Sequence, residues 1–171
     1  MNLLYSQIIG KPIGALAEKA KVGTVKDIVV NPEDSRVLAA LVQSGFLGWR
    51  RGVVDWRDMR AFDDHGVVVS GAQNVLALEE IVRVRDLIKR GFSLLGLRVI
   101  TTTGVRLGLV RDFEINWEMG ALVKIYVRGF WGPKRIIGRS AIVRIELDCV
   151  VVKNGEVKKE AKISKTCAES V

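Results

Sequence analysis

The sequence is poor in the residues from which most catalytic and metal sites are built. Its 171 residues include two cysteines and one histidine. Cys149 and Cys167 are too few for a disulfide framework and lack the spacing of a zinc site. His65 stands alone in an acidic turn, Asp63–Gly66. Because a catalytic triad or a histidine-based metal site needs more such residues, we expect no enzymatic activity, no cofactor and no small-molecule substrate.

Long hydrophobic runs are also missing. No apolar stretch approaches the roughly 20 residues that span a bilayer. The first residues, Met1–Ser6, lack the basic and apolar regions of a secretory signal. Hydrophobic residues make up 49% of the chain and charged residues 27%. These features predict a packed, soluble, cytoplasmic protein.

One stretch of ten residues occurs twice, as Val22–Asn31 and as Leu107–Asn116. The shared residues lie 85 positions apart (108 − 23, 112 − 27 and 116 − 31), and the matching pairs are Gly23 and Gly108, Asp27 and Asp112, and Asn31 and Asn116. We interpret these residues as scaffold: the glycine for a close approach or a bulge, the aspartate for a local bond, and the asparagine for a turn. A paired-carboxylate catalytic site is not favoured, because the aspartates occupy equivalent positions in two repeats.

Short runs of β-formers, separated by turns about every 6–12 residues, predict an all-β fold. The chain divides into a first repeat (residues 1–71), a connecting amphipathic helix (72–92), a second repeat (93–153) and a basic, disordered tail (154–171). Asn74 can cap the helix, which we expect from Val75 to Arg90, and Gly91 is placed to stop it. An apolar stripe on this helix predicts that it packs across the interface between the two repeats.

Each repeat contains a loop that combines glycines with aromatic and basic residues. These loops are the candidate partner-binding sites, with the residues Phe46, Trp49, Arg50, Arg51, Phe130, Trp131, Lys134 and Arg135. We aligned Arg51 with Arg135. Tryptophan and arginine are the residues that binding hot spots favour. The alternative is a plain hairpin connection whose aromatics fold back on the repeat.

The positive charge is concentrated in the second half of the chain. The net charge is +8, and residues 93–152 carry nine basic and five acidic side chains, against nine and eight in residues 1–71. A basic surface favours anionic partners such as RNA, acidic lipids or acidic protein faces. A modest positive charge can also serve solubility alone.

The order of these features resembles the PRC-barrel family, which includes the cytoplasmic domain of the photosynthetic reaction-centre H subunit and the C-terminal domain of a bacterial ribosome maturation factor. The resemblance lies in the opening Gly-Lys-Pro-Ile, in Val-Gly-Thr-Val-Lys-Asp-Ile, and in Val-Val-Asp-Trp-Arg-Asp-Met. Asp55 departs from the family's more usual proline, and the second copy of that tract has neither proline nor tryptophan. A tandem pair joined by a helix resembles a group of small bacterial proteins made only of two such barrels.

This resemblance implies two small six-stranded β-barrels in tandem that serve in binding or assembly, without shared catalytic residues. Three functions remain open. The first is a non-enzymatic, protein-binding adaptor. The second is a factor associated with RNA or the ribosome, and the third is a peripheral partner of an anionic membrane surface.

Overall fold

The structure is a computed structural model that describes residues 1–44, 50–129, 134–155 and 158–159, with the backbone alone at Arg50, Lys158 and Lys159. Among these residues, the N-terminal half contains eight strands and one short helix. In chain order they are β1 (Asn2–Leu4), α1 (Tyr5–Ile8), β2 (Pro12–Ala15), β3 (Ala20–Val30), β4 (Val37–Ser44), β5 (Arg50–Asp55), β6 (Met59–Asp63), β7 (Gly66–Val69) and β8 (Leu76–Ala77).

The rest of the described chain contains one helix and seven strands. They are α2 (Val82–Lys89), β9 (Arg98–Thr101), β10 (Arg106–Asn116), β11 (Ala121–Arg128), β12 (Lys134–Gly138), β13 (Ile142–Ile145), β14 (Cys149–Val152) and β15 (Lys158–Lys159). Short 3₁₀ turns occupy Trp56–Asp58, Ala72–Asn74, Leu78–Glu80 and Arg139–Ala141.

Within the described residues, the strands form two sheets that repeat one order. The first sheet runs β6-β7-β2-β3-β4-β5-β8, and the second runs β13-β14-β9-β10-β11-β12-β15, with β1 added beside β10. Each sheet has one parallel pair at the same place, β2 with β7 and β9 with β14. The expected all-β fold of two barrels, each built on six strands, is confirmed. Most of the buried apolar side chains of both repeats form one continuous hydrophobic cluster, and a smaller cluster lies around Val84.

The duplicated stretch is structural, as its residue types predicted. A bulge interrupts the pairing of β3 with β4 just before Asp27, and the pairing of β10 with β11 just before Asp112. Each carboxylate accepts a hydrogen bond from the next backbone amide, at 2.8 Å in the first repeat and 2.9 Å in the second. A Cβ atom on Gly23 would collide with the Val42 side chain, and one on Gly108 would lie 2.5 Å from the Arg128 carbonyl carbon. The glycines therefore permit close strand contact, and the aspartates bond locally at the bulges.

The connecting helix is shorter than predicted. Only Val82–Lys89 is α-helical, and the residues before it form β8 and a 3₁₀ turn. Asn74 does not cap a helix at Val75, because its side chain accepts a hydrogen bond from the Gly71 amide instead. Strand β8 pairs with β5, so edge pairing replaces the first helical turns. Gly91 ends the helix as expected: it has φ +70°, and its amide donates to the Ile88 carbonyl at 2.9 Å.

The tail also differs in part from expectation. Lys158 and Lys159 form β15, which pairs with β12. The prediction of disorder from residue 154 onward therefore fails at these two positions. Residues 156–157 and 160–171 lie outside the described residues.

Backbone hydrogen bonds and aromatic packing join the repeats. The Val37 amide donates to the Gly120 carbonyl at 2.8 Å, and the Leu122 amide donates to the Ser35 carbonyl at 2.9 Å. Next to these bonds the ring of Trp56 packs 4.6 Å, centre to centre, from that of Trp117. The Trp56 indole nitrogen also donates to the Trp117 carbonyl oxygen at 3.3 Å. The repeats are thus held by both backbone bonds and aromatic packing.

The N-terminal segment crosses to the second sheet. Strand β1 pairs antiparallel with the end of β10, with Asn2 opposite Asn116 and Leu4 opposite Glu114. In α1, the Tyr5 ring lies 4.8 Å from the Phe113 ring. The Ser6 hydroxyl donates to the Asp112 carboxylate at 2.6 Å. No sequence pattern predicted that the N-terminal strand pairs with the sheet of the second repeat.

Candidate partner-binding clefts

A cleft of about 810 Å³, which we call the second cleft, opens on the outer side of the second sheet. Strands β10, β11 and β12 supply most of its lining, which consists of Leu4, Arg111, Asp112, Tyr126, Val127, Arg128, Gly129 and Lys134. The bulge in β10 makes Arg111 an extra, exposed residue between the paired positions Val110 and Asp112. Arg128 and Lys134 face each other across β11 and β12. The strand register therefore brings three cations to one cleft.

The arginines of the second cleft are available to a ligand. Arg111 and Arg128 are exposed. Among the described residues, neither side chain makes a hydrogen bond or an ion pair with another. Asp112, in contrast, is engaged, because it accepts bonds from the Ser6 amide and hydroxyl and from the Phe113 amide. The cleft thus has a fixed carboxylate on its floor and unengaged guanidinium groups at its rim.

A polar network stands beside the second cleft. Glu114, which is buried, accepts hydrogen bonds from the Tyr126 hydroxyl at 3.1 Å and from the Asn2 side chain at 3.0 Å. Its carboxylate also pairs with the Lys124 ammonium at 2.8 Å. That bond raises the pKa of Lys124, while burial raises the pKa of Tyr126. This network fixes the Tyr126 ring in the wall of the cleft.

The first repeat has an equivalent but smaller cleft, of about 270 Å³, which we call the first cleft. Its lining is Lys26, Asp27, Leu41, Val42, Gln43, Arg51, Gly52, Leu78 and Ile88. The strand registers show the equivalence, because Asp27 pairs with Leu41 as Asp112 pairs with Tyr126. Leu78 and Ile88, however, come from the connecting segment. The connecting segment therefore forms part of the wall of the first cleft.

The connecting helix covers the outer face of the first sheet beside this cleft. Val84 is fully buried and packs in one cluster with Val29, Ala39 and Val53. Leu78, Ile81 and Ile88 pack against the same cluster, so the predicted apolar stripe faces the first sheet. Glu114 and Lys124 occupy the positions in the second sheet that Val29 and Ala39 hold in the first, 85 residues earlier (114 − 29 and 124 − 39). The repeats have similar interiors but different outer faces.

Half of the predicted binding residues lie outside the described residues, namely Phe46, Trp49, Phe130 and Trp131. Arg51 is exposed and lines the first cleft, while Lys134 is exposed and lines the second. Arg135 is half-buried, and its guanidinium donates to the Leu107 carbonyl at 2.8 Å, which suits a structural role. For Arg50 the structure describes only the backbone, opposite Ser44.

The alignment of Arg51 with Arg135 was wrong by one residue. Arg51 pairs with Gln43, and the position equivalent to Gln43 is Arg128, which pairs with Lys134. Arg51 therefore corresponds to Lys134. A shift of one residue moves a strand side chain to the opposite face of its sheet, so this correction decides which cation lines the cleft.

Sequence reasoning missed Arg111, Tyr126 and Arg128 as cleft residues. A basic residue before each repeated aspartate was visible, but it carried no information about which strand lies opposite. Arg128 stands just before the aromatic-basic loop and looked like an ordinary strand residue. Only the register of β10, β11 and β12 brings the three together.

Other reactive side chains among the described residues include His65 and a cluster of Glu146, Asp148 and Cys149. His65 is exposed, and its amide bonds to Asp63 within the turn. Glu146, Asp148 and Cys149 lie close together, but Arg144 pairs with Glu146 and Arg98 with Asp148. Burial raises the pKa of the Cys149 thiol. A thiol of raised pKa and carboxylates paired with arginines are poor candidates for catalysis.

In the described part of the chain, no helix combines the length and the apolar character needed to cross a membrane.

Comparison with known proteins identifies the domain type of the first repeat. A search of curated proteins finds no match to this chain. The family model of the PRC-barrel domain matches residues 1–75, the part of the chain that contains the first six-strand set and the start of the connecting segment. Residues 1–75 therefore contain a PRC-barrel domain.

Proposed function

We propose that this protein is a non-enzymatic, cytoplasmic adaptor of two PRC-barrels that binds a partner protein at the second cleft. A PRC-barrel domain supports a general role in protein interaction or assembly, and such domains are typically non-catalytic. The shared strand order supports treating the second repeat as a second barrel of this type. Neither a cofactor nor a small-molecule substrate is part of the proposal.

One observation carries this proposal: two equivalent clefts differ in the side chains that line them, because the connecting segment packs at the first cleft but not at the second. In the first, Leu78 and Ile88 of the connecting segment form one wall of the cleft and pack on the outer face of the sheet. Strand β8 leads the chain there by pairing with the edge strand β5. The first barrel thus holds a segment of its own chain by strand pairing and side-chain packing, which supports binding of a partner segment at the equivalent face of the second barrel. The second cleft offers the same face with a larger volume and exposed arginines.

Partner binding by the aromatic-basic loop of the second repeat stays a prediction. The residues on either side of the loop support it. Gly129 and Lys134, on either side of Phe130–Pro133, both line the second cleft. A partner in the cleft would therefore come close to the ends of this loop. We expect Trp131→Ala to weaken co-purification of the partner while the fold survives, and unchanged co-purification of the Trp49→Ala, Trp131→Ala double variant would refute the loop assignment.

Site-specific photocrosslinking tests the cleft assignment directly. A photoreactive amino acid replaces Arg128 in the full chain, expressed in cells of the source organism, and Gln43 is replaced at the equivalent position as the matched control. We expect a discrete crosslinked partner protein from position 128 and none from position 43, where the connecting segment already packs. The same crosslinks from both positions, or no protein crosslink from position 128, would reject the proposal.

A further inference from the structure

We infer that the second cleft recognises an acidic segment of its partner protein, with glutamate or aspartate side chains meeting Arg111 and Arg128. The inference rests on the proposed function and names the chemistry of the partner. It follows from the residues that differ at equivalent positions of the two clefts, because the segment packed at the first cleft indicates which side chains that lining favours.

The first cleft holds aliphatic side chains. Leu78 and Ile88 line it together with Leu41 and Val42, and Val84 covers the apolar face next to them. The basic residues of this cleft, Lys26 and Arg51, stand at its rim. An apolar insert in a largely apolar cleft is the combination that burial of hydrocarbon surface favours.

The second cleft has polar and cationic residues at the equivalent positions. Tyr126 takes the place of Leu41, and Arg128 takes the place of Gln43. Three cations, Arg111, Arg128 and Lys134, now surround one cleft, against Lys26 and Arg51 in the first. A leucine at the place of Leu78 would desolvate these cations without a compensating bond. A carboxylate would instead accept charge-assisted bonds, which arginine can donate in pairs.

The lining favours a protein segment over a nucleic acid. The Asp112 carboxylate lies among the cations, and the buried Glu114 carboxylate stands behind Tyr126. These carboxylates would repel the closely spaced phosphates of a nucleic acid. A protein segment can instead place its own carboxylates only where the cations lie. Leu4 and Val127 add apolar surface to the same cleft. Tyr126, the aromatic residue in the described lining, is tied through its hydroxyl to Glu114, and the Lys124 ammonium lies over its ring at 5.7 Å from the centroid, so a base would have to compete with this cation for one face.

Binding of defined probes to the full chain tests the inference. The first probe is a fluorescein-labelled peptide in which glutamate alternates with leucine and alanine, the second has glutamine in place of each glutamate, and the third is a single-stranded polyuridine of matched charge. Fluorescence anisotropy at low salt measures each affinity. We expect the glutamate peptide to bind about tenfold or more tightly than the glutamine peptide, and added salt to weaken it.

Matched variants separate the cleft from general charge. Arg111→Gln and Arg128→Gln should each weaken the glutamate peptide about tenfold. Lys26→Gln removes one positive charge at the position equivalent to Arg111 and should leave binding unchanged. Equal effects of Lys26→Gln and Arg111→Gln, or equal affinity for the two peptides, would overturn the inference.

The remaining outcomes identify other occupants. Tighter binding of polyuridine, lost in the same arginine variants, would assign the cleft to nucleic acid and overturn the inference. Binding of the glutamate peptide only to a chain that ends at Lys159 would assign it to residues 160–171 and would also overturn it. If position 128 still crosslinks a protein while the glutamate peptide fails to bind, the adaptor proposal stands and the acidic partner does not.

Discussion

Arg36 and Ala121 pair with each other across the contact between the repeats, as an antiparallel bridge outside the named strands. They are also equivalent positions, 85 residues apart (121 − 36). The bonds beside them are reciprocal, because Val37 is equivalent to Leu122 and Ser35 to Gly120. A residue that pairs with its own equivalent lies on a local two-fold axis. The contact therefore has the form of an isologous dimer interface within a single chain.

The contact at Gly120 gives the first prediction. Gly120 has φ +56°, and a Cβ atom there would lie 2.6 Å from Cδ1 of Trp56. We expect Gly120→Ala to lower the free energy of unfolding by about 2–4 kcal/mol, from left-handed strain together with overpacking. Urea denaturation measures the loss. Gly104→Ala is the matched control, since Gly104 has φ +84° and no atom within 4 Å; equal losses would show that Trp56 contributes nothing.

The packing of α2 on the first sheet gives the second prediction. Val84 is 0% exposed and Val82 is 55% exposed on the same helix. Val84→Ala should cost about 1–3 kcal/mol, since it leaves a cavity against Val29 and Val53. Val82→Ala removes the same atoms from an exposed site and should change stability by less than about 0.5 kcal/mol. Urea denaturation compares the two, and a cost at Val82 equal to that at Val84 would contradict the packing.

The network around Glu114 gives the third prediction. Glu114→Val alone leaves Lys124 and Tyr126 without their partner and should destabilise the protein by about 1–3 kcal/mol. Adding Lys124→Ala recreates the pair found in the first sheet, Val29 and Ala39, and should recover most of the loss. Apolar replacements of a partly buried ion pair are often neutral once both partners are changed. Thermal unfolding of the single and double variants decides the point, and additive losses would argue against it.

The carboxyl group of Asp27 gives the fourth prediction. Burial raises its pKa above the ordinary value of 3.8, although hydrogen bonds from the Ile28 amide and the Tyr5 hydroxyl lower it. Because the folded protein holds this proton more tightly than the unfolded chain, the group favours the fold when protonated. Its contribution should decline as the pH rises from about 3.8 through the raised pKa.

Two variants test this dependence on pH. In Asp27→Asn the decline disappears, so wild type loses stability relative to the variant as the pH rises. Tyr5→Phe removes a bond that lowers the pKa of Asp27, so the decline should extend to higher pH. Urea denaturation across the acid range measures both effects. Curves for wild type and Asp27→Asn that stay parallel would disprove the assignment.

Local signals predicted a large part of the fold. The repeated glycine, aspartate and asparagine each act through near neighbours, as when Asn116 accepts a bond from the Met119 amide in its turn. Such roles are visible in a short window of sequence. The alternation of β-formers and turns likewise predicted most strands, because one buried face per strand leaves its mark on the residue pattern.

What the sequence could not predict depends on partners far along the chain. The run from Val75 to Ile81 has helical periodicity, yet the edge of β5 draws Leu76 and Ala77 into a strand. Tertiary pairing of this kind outweighs a weak local preference. The second cleft was missed for a related reason, since Arg111, Arg128 and Lys134 meet only through the register of three strands. Because the aromatic-basic loops of the two repeats differ in length, the alignment of Arg51 with Arg135 was shifted by one residue from the strand register.

The pairing of β1 with β10 has a consequence for the order of folding. Asn2 finds its strand partner only at Asn116, and Leu4 only at Glu114. On a ribosome, the opening strand emerges long before the strand that receives it. Contacts so distant in sequence close late and slow the search for the native state. The first sheet does not include β1 and can pair its own strands earlier, so the opening strand stays unpaired until β10 has been synthesised.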